Sequence, residues 1–528
     1  MSTFKNLEQL FALGKITRRE FIERAAALGL AAATSSLFFS KPAQAAAPKK
    51  GGRLRMGLSG GSTTDSLDPA TNTDMMMQLL IYGQLGNSLV EINHKSEPVP
   101  ELAESWEASP DAKTWTFRLR KGVEFHNGKT LDADDVIWSI NHHRGKESKS
   151  AAKTLVDPIV DIKKDGKDTV VFTLSGGNAD FPYIMSDYHL VIMPKDSKPD
   201  AGIFTGAYIL KEFEPGVRAF VTKNPNYFKS DRGHFDEVET LAISDVNART
   251  NALKTGQIDV MNRCELKTVR FLKGSKDLQV MQQNGTKHYT FAMRCDTAPY
   301  DNNDVRMALK YAIDREQLVK TILRGYGVVG NDHPIGQANR YHASELEQRT
   351  YDPDKAKFHL KKAGIGKAEF RLHTAEAAYV GAVDAGVLYK ESAAKAGISV
   401  EVVREPNDGY WNNVWLKKPW CAVFWGGRPT EDMMFSTAYK AGAPWNDTFW
   451  NHERFNKLLV EARAELDEKK RRSMYVEMQR LVRDEGGVVV PMFAADLSAA
   501  TRKIAHGPLA VNYELDGFRA PERWWFAS

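Results

Sequence analysis

Cysteine is scarce: Cys264, Cys295 and Cys421 are the only three in 528 residues, too few for a disulfide scaffold. In an oxidising compartment they allow one bridge plus one buried thiol, and their positions do not choose the pair. A membrane-spanning run is also missing, because the apolar stretch from Ala25 to Phe39 mixes Ala, Gly, Thr and Ser and falls short of the roughly 20 strongly apolar residues a span needs. Charge of one sign is equally sparse. The whole chain carries a net +5, of which the first 45 residues hold +3 (Lys5, Lys15, Arg18, Arg19, Arg24 and Lys41 against Glu8, Glu20 and Glu23). A remainder this close to neutral gives no electrostatic case for nucleic acid. Internal repeats and low-complexity linkers are absent as well. What is abundant is ordinary: at 42% hydrophobic with mixed charges, the chain can bury large cores and is long enough for two or three lobes.

The first 45 residues read as an address. Thr17-Arg18-Arg19-Glu20-Phe21-Ile22 precedes the weakly apolar run, and Ala43-Gln44-Ala45 supplies a small-x-small cleavage site. Paired arginines before Phe21, with Lys41 after the run, match a twin-arginine export signal, so residues 1–45 are expected to be removed. No cysteine near the cleavage site offers a lipid anchor.

Along the mature chain, Leu54, Met56 and Leu58 alternate with Arg53 and Arg55 as in a half-buried strand. The following Gly57-Leu58-Ser59-Gly60-Gly61 fits G-x-S-x-G, but no helix follows and no sheet precedes it, so the pattern lacks the context a nucleophile needs. Met75, Met76 and Met77 open a packed helix; adjacent methionines point different ways and cannot share a soft metal. From Leu89 to Met193 the texture is β-rich: Trp115, Phe117 and Leu119 alternate with threonines and arginines, Asn127-Gly128 and Asp165-Gly166 mark turns, and one helix starts at Asp132. His142 and His143 on that helix do not share a face. Mixed α/β pattern returns after Gly206, with a helix from Asp245 to Gly256 and a short strand Ile258 to Met261. A second α/β region begins at Tyr289 to Met293. There, helices are expected from Asp304, from Asp314 and from Asp352-Pro353, and Phe370 to His373, a helix ending at Gly397 and Ile398 to Val403 form a βαβ unit. Two charged helices between Arg454 and Asp484 lead to a buried strand at Val488 to Met492.

The stretch with most chemistry is Trp420 to Asp432. Six apolar residues read as a buried strand, and Gly426, Gly427 and Pro429 force the chain out at its end. The open ends of strands in α/β sheets are where ligands are held. One guanidinium (Arg428), two carboxylates (Glu431, Asp432) and an indole (Trp425) collect there, and Trp445 follows close behind. These five are the candidate ligand-binding residues; the alternative is a loop whose charges are merely solvated.

Several ordered blocks carry a family resemblance: Leu67-Asp68-Pro69, Glu101 to Glu107, Thr114 to Gly128, Asp132 to Val136, Gly206-Ala207-Tyr208, Lys223 to Phe228, Asp304 to Arg315 and Tyr351 to Ala356. Together they resemble the extracytoplasmic solute-binding proteins of dipeptide, oligopeptide and nickel importers, across nearly the whole mature chain. The resemblance implies an α/β, two-lobed periplasmic-binding-protein fold with a double-crossover hinge and an extra β-rich subdomain. By analogy the first lobe comprises residues 46–88, 200–285 and 500–528, the β-rich subdomain 89–199 and the second lobe 286–499. It further implies a monomeric periplasmic receptor without catalytic residues, cofactor or metal. Such a receptor traps a peptide-like solute by hinge closure and delivers it to an inner-membrane ABC permease with ATPase subunits.

One position departs from the family pattern. In peptide-binding relatives the tryptophan ending the second-lobe strand is followed three residues later by an aspartate that pairs with the peptide amine; here that residue is Arg428. The reversed charge points toward opines, acidic peptides, other carboxylates or phosphorylated solutes. Competing readings are a secreted serine hydrolase, which would rest on Ser59, and a metal or metallophore receptor, for which His94, His126, His189 and His288 show no chelating spacing.

Overall fold

Two large sheets organise the chain, and the alternation legible in the sequence decides which faces they bury. The computed structural model describes residues 48–527 except 73, 367, 408 and 409. The expected leader, with Arg18 and Arg19, lies outside the described residues. Lys49–Phe526 make one compact unit.

The first sheet has seven strands in the spatial order Leu278–Gln283, Asp496–Thr501, Val260–Met261, Arg53–Leu58, Glu237–Ala242, Arg218–Lys223, Tyr208–Glu214. Arg53–Leu58 lies near its centre, parallel to Glu237–Ala242, with Leu54, Met56 and Leu58 fully buried as the alternation requires. Against this sheet pack the helix Met75–Leu80, whose three methionines are all core residues, and the π-helical turn Ile81–Leu85 that continues it. The π-turn includes Gly83, where any side chain would collide with the carbonyl of Phe518.

The second sheet has six strands in the order Gly327–Val329, Val488–Ala494, His288–Met293, Trp420–Trp425, Ala368–Thr374, Ile398–Arg404. Ala368–Thr374 and Ile398–Arg404 run parallel, joined by the helix Ala382–Ala394, as the βαβ pattern predicts. Trp420–Trp425 is an inner strand, antiparallel to His288–Met293 along its full length. The chain crosses between the sheets twice, at residues 284–287 and at Ala495. The return was expected at residue 500, but Gln283 already pairs with Asp496, so the crossing comes earlier. Neither glycine nor proline marks it, which is why the sequence does not show it.

The β-rich subdomain is an antiparallel sheet in the order Ala103–Ala108, Thr114–Leu119, Thr169–Leu174, Ile159–Lys164, with its own core around Phe117, Phe172 and Phe181. Its helix Ala133–His142 begins with a reciprocal capping box, Asp132 with Asp135. Two single turns, Lys153–Val156 and Phe181–Ile184, add to the one helix expected. The strand expected from Ile258 shortens to Val260–Met261.

The allowance for a disulfide is corrected, since all three cysteines are free thiols. Cys264 belongs to the core beside the first sheet, whereas Cys295 and Cys421 pack in the second lobe. Cys421 stands opposite Ala292, so Cys295 is offset by three residues, about 10 Å along the strand and beyond bridging reach. No helix among the described residues is long and apolar enough to cross a membrane.

Candidate ligand site at the end of the Trp420–Trp425 strand

Every residue of Trp420–Trp425 except Phe424 is buried, so the strand is fixed on both faces and its end is a rigid platform. The chain then turns through Gly426 and Gly427. A Cβ on Gly427 would collide with Thr286 Oγ1, so the close approach of this loop to the first crossover requires glycine. Thr430 ends the loop by capping the helix Glu431–Ala438, its Oγ1 accepting from the Met433 amide at 3.3 Å.

Arg428 stands between these two fixed points. Its Nη1 donates to the carbonyls of Gly426 (3.1 Å) and Gly427 (3.3 Å), which curls the guanidinium over its own loop. Among the described residues no carboxylate pairs with it; the phenols near enough to influence its charge are those of Tyr513 and Tyr188. Burial pulls its pKa below the usual arginine value, yet a guanidinium stays charged at any physiological pH. It lines a cavity of about 10 Å³, room for roughly one water, whose other walls include Tyr183, Thr286, Asn339 and Asn512. These come from the β-rich subdomain, the first crossover, the second lobe and the C-terminal segment. Sequence reasoning missed all four, and no spacing links them.

The two carboxylates are turned elsewhere. Glu431 is buried and accepts from the Tyr341 amide at 2.6 Å, while burial pushes its carboxyl up to about 7. Asp432 accepts from Arg463 Nε at 3.1 Å through both oxygens, and burial raises its pKa also. The sequence places them in the segment leaving the strand, as ligand carboxylates or solvated loop charges; instead both stand in the first turn of the helix Glu431–Ala438 and are buried against protein partners. Trp425 and Trp445 do meet, with ring centroids 6.2 Å apart, and Trp415 completes the trio at 6.3 and 6.0 Å. Trp445 is 48% exposed. Beneath the trio lies Asp447, bonded by Trp415 Nε1 at 3.1 Å and raised by burial to about 7.

A second contact joins the β-rich subdomain to the second lobe. Arg471 Nη2 lies 2.7 Å from Asp180 Oδ2 with both side chains buried, and the Ala179 amide donates to the Arg463 carbonyl at 2.7 Å. Arg471 lies beside the stacked rings of Tyr341 and Tyr475, its Cζ 5.6 and 5.5 Å from their centroids.

The other motifs find local roles. Ser59 Oγ accepts from Asn262 Nδ2 at 3.1 Å, and its chain runs on into turns without forming the strand-to-helix elbow. His142 contacts Asp68 at 2.8 Å and His143 contacts Ser150 at 2.7 Å. His126, His189 and His288 each bond a backbone carbonyl, and His94 is exposed. Among the described residues one group of three carboxylates, Glu91, Glu101 and Glu522, comes close enough for a metal. Lys229 Nζ already sits within 2.6 to 3.1 Å of all three, with Arg519 and Arg523 beside them, so these carboxylates staple the C-terminal segment to the β-rich subdomain.

Residues 97–447 match the model for bacterial extracellular solute-binding proteins, family 5. The chain belongs to this family. It is 26% identical to the dipeptide-binding protein of Escherichia coli K12 over 454 residues, covering 77% of this chain and 83% of that protein. Its fold superposes on HbpA2 from Haemophilus parasuis with a TM-score of 0.78 (21% identity; 88% of this chain, 99% of the other). It also superposes on AgaA from A. tumefaciens R10, determined with agropinic acid, at 0.70 (22% identity; 90% and 99%). This family 5 solute-binding protein therefore shares the two-lobed architecture expected from its sequence, including the double crossover.

Proposed function

We propose that this family 5 protein is the periplasmic receptor of an ABC importer for a small anionic, peptide-like or opine-like solute. The solute is held between the lobes by Arg428 and released to an inner-membrane permease driven by ATPase subunits. One observation carries the anionic reading: Arg428 is a part-buried guanidinium, tied to its own loop, with no carboxylate partner among the described residues. A cation placed so is stabilised by an anion from outside, and a guanidinium fork fits carboxylate or phosphate through paired hydrogen bonds. The relative solved with agropinic acid supports an opine-like class, and the E. coli relative a peptide-like one. The cavity at Arg428 holds about one water, so a solute enters when the lobes part and is enclosed when they meet. Trp425 and Trp445 supply an aromatic surface for its apolar part.

Arg428→Lys should weaken binding of an anionic solute, Arg428→Ala more so, and Arg428→Asp should nearly abolish it. Losing one member of a buried charge pair costs roughly 2–5 kcal/mol, about thirtyfold to several thousandfold in affinity. Calorimetry against the compound that copurifies with the protein measures this, with melting of the free variants as control. Unchanged affinity with a lowered melting temperature sinks the anchor role. Incubation with an ester and peptide panel tests the hydrolase reading. Stabilisation without turnover marks a receptor.

A further inference from the structure

No carboxylate lines the cavity at Arg428, but two carboxamides do, one from each side of the cleft: Asn339 of the second lobe and Asn512 of the C-terminal segment. Asn339 is 7% exposed, and the fold orients its amide. Its Oδ1 accepts from the Gly336 amide at 2.9 Å, so Nδ2 is the outward atom. That Nδ2 has no partner among the described residues and is not sealed off. Asn512 has the same polarity. Its Oδ1 is sealed, with Gly517 so close that a Cβ there would lie 2.8 Å away, and Nδ2 is again the open, unpartnered atom. Nearly buried donors left without an acceptor call for an explanation.

A strained turn holds Asn512 in place. Leu515, Asp516, Gly517 and Phe518 all have positive φ (48°, 62°, 68° and 65°), a left-handed run that is unfavourable at each non-glycine residue. Asp516 secures it, accepting from the Ala510 amide at 2.7 Å and from Trp524 Nε1 at 3.1 Å. The turn folds Phe518 back onto Tyr513, with the rings parallel and their centroids 4.7 Å apart, so the residue following Asn512 is clamped. Backbone strain of this kind persists only where the surroundings over-determine it, and it gathers at ligand sites.

We propose that Asn339 and Asn512 complete, with Arg428, a seat for a single carboxylate group of the solute, donating to it from opposite sides of the cleft. This rests on the anionic reading of Arg428 and adds the donors that reading lacks. Arg428 Nη1 is taken by its own loop carbonyls, whereas Nε and Nη2 have no partner among the described residues. A guanidinium edge and two amide N–H groups together match the lone pairs of a planar carboxylate. In a space of about 10 Å³, a compact planar group fits where a tetrahedral phosphate carries extra oxygens. Because Asn512 belongs to the C-terminal segment and Asn339 to the second lobe, the carboxylate itself ties the two sides together. That contact gives the closed form its higher affinity for the solute.

Formate, the smallest carboxylate, is the probe, titrated at constant ionic strength into the exported protein stripped of copurifying solute. Binding is read from line broadening of labelled formate and from the melting temperature. The wild type should show saturable broadening and a rising melting temperature, and inorganic phosphate should bind more weakly. Asn339→Asp and Asn512→Asp exchange only the free Nδ2 for oxygen and keep the side-chain shape. Each should weaken formate about tenfold to a hundredfold, the loss of a hydrogen bond to a charged group. Each should also raise the melting temperature of formate-free protein, because the new carboxylate neutralises Arg428 from within; an asparagine with a purely structural role would lower it. Arg428→Ala should remove formate binding. Formate bound equally by the wild type and both Asp variants overturns the seat while leaving Arg428 as an anchor. Absence of saturable formate binding, or tighter binding of phosphate, overturns it too. The anionic-solute reading is judged separately, by calorimetry of the Arg428 variants with the copurifying compound.

Discussion

Glu431 shows how one residue can be correctly located and differently used. Its position just past Arg428 suggested a ligand carboxylate, but Thr430 starts a helix there and the helix carries Glu431 inward to the Tyr341 amide. The same burial makes it titratable near neutrality, as it does Asp447 under the tryptophans, both raised to about 7. For a carboxyl whose pKa is higher folded than unfolded, the native state binds more protons, so stability falls as pH rises between the unfolded value and about 7. Glu431 removes on the order of 3 kcal/mol between about pH 4.5 and about pH 7, and Asp447 on the order of 4 kcal/mol between about pH 4 and about pH 7. Urea midpoints measured through this range should therefore decline toward neutral pH. Glu431→Gln should flatten part of the decline; an unchanged slope would mean that Glu431 stays ionised.

At the scale of elements, the turn Phe181–Ile184 and the charged helix Glu468–Glu485 meet through Asp180 and Arg471. Breaking a buried pair by removing one partner costs roughly 3–5 kcal/mol, because the remaining charge is left without compensation. Asp180→Ala should lower the unfolding free energy, read from denaturant melts, by that amount, whereas the double change Asp180→Val, Arg471→Met should recover most of it. Equal losses in the single and double variants would show that packing, and not charge, holds this contact. The long helices, the βαβ unit and the capped starts at Asp132, Asp245, Asp314 and Asp352 were all legible, because caps and apolar periods are local. The contact between Asp180 and Arg471 spans nearly 300 residues and leaves no mark on either neighbourhood.

For the whole molecule, two lobes joined by two short crossings predict a hinge. Small-angle scattering should show a smaller radius of gyration when the copurifying solute is added back to stripped protein. An unchanged radius at saturation counts against closure. Export is a separate test: with Arg18 and Arg19 both changed to lysine, the precursor should remain in the cytoplasm if the twin-arginine route is used. Normal yield of processed protein outside would point to the general secretory route.

The sequence by itself determined the family, the β-rich subdomain, most helices and strands and the rigid end of Trp420–Trp425. Each rests on local periodicity, capping or ordered motifs. It also singled out Arg428, because a reversed charge at a family position is visible without coordinates. Only the tertiary structure decided which charges near that strand remain free. Glu431 and Asp432 are committed to Tyr341 and Arg463, about 90 and 30 residues away, while Arg428 is left facing Tyr188 and Tyr513. Burial and pairing are properties of what the fold brings from a distance, and those determine whether a charge is a structural tie or a binding group.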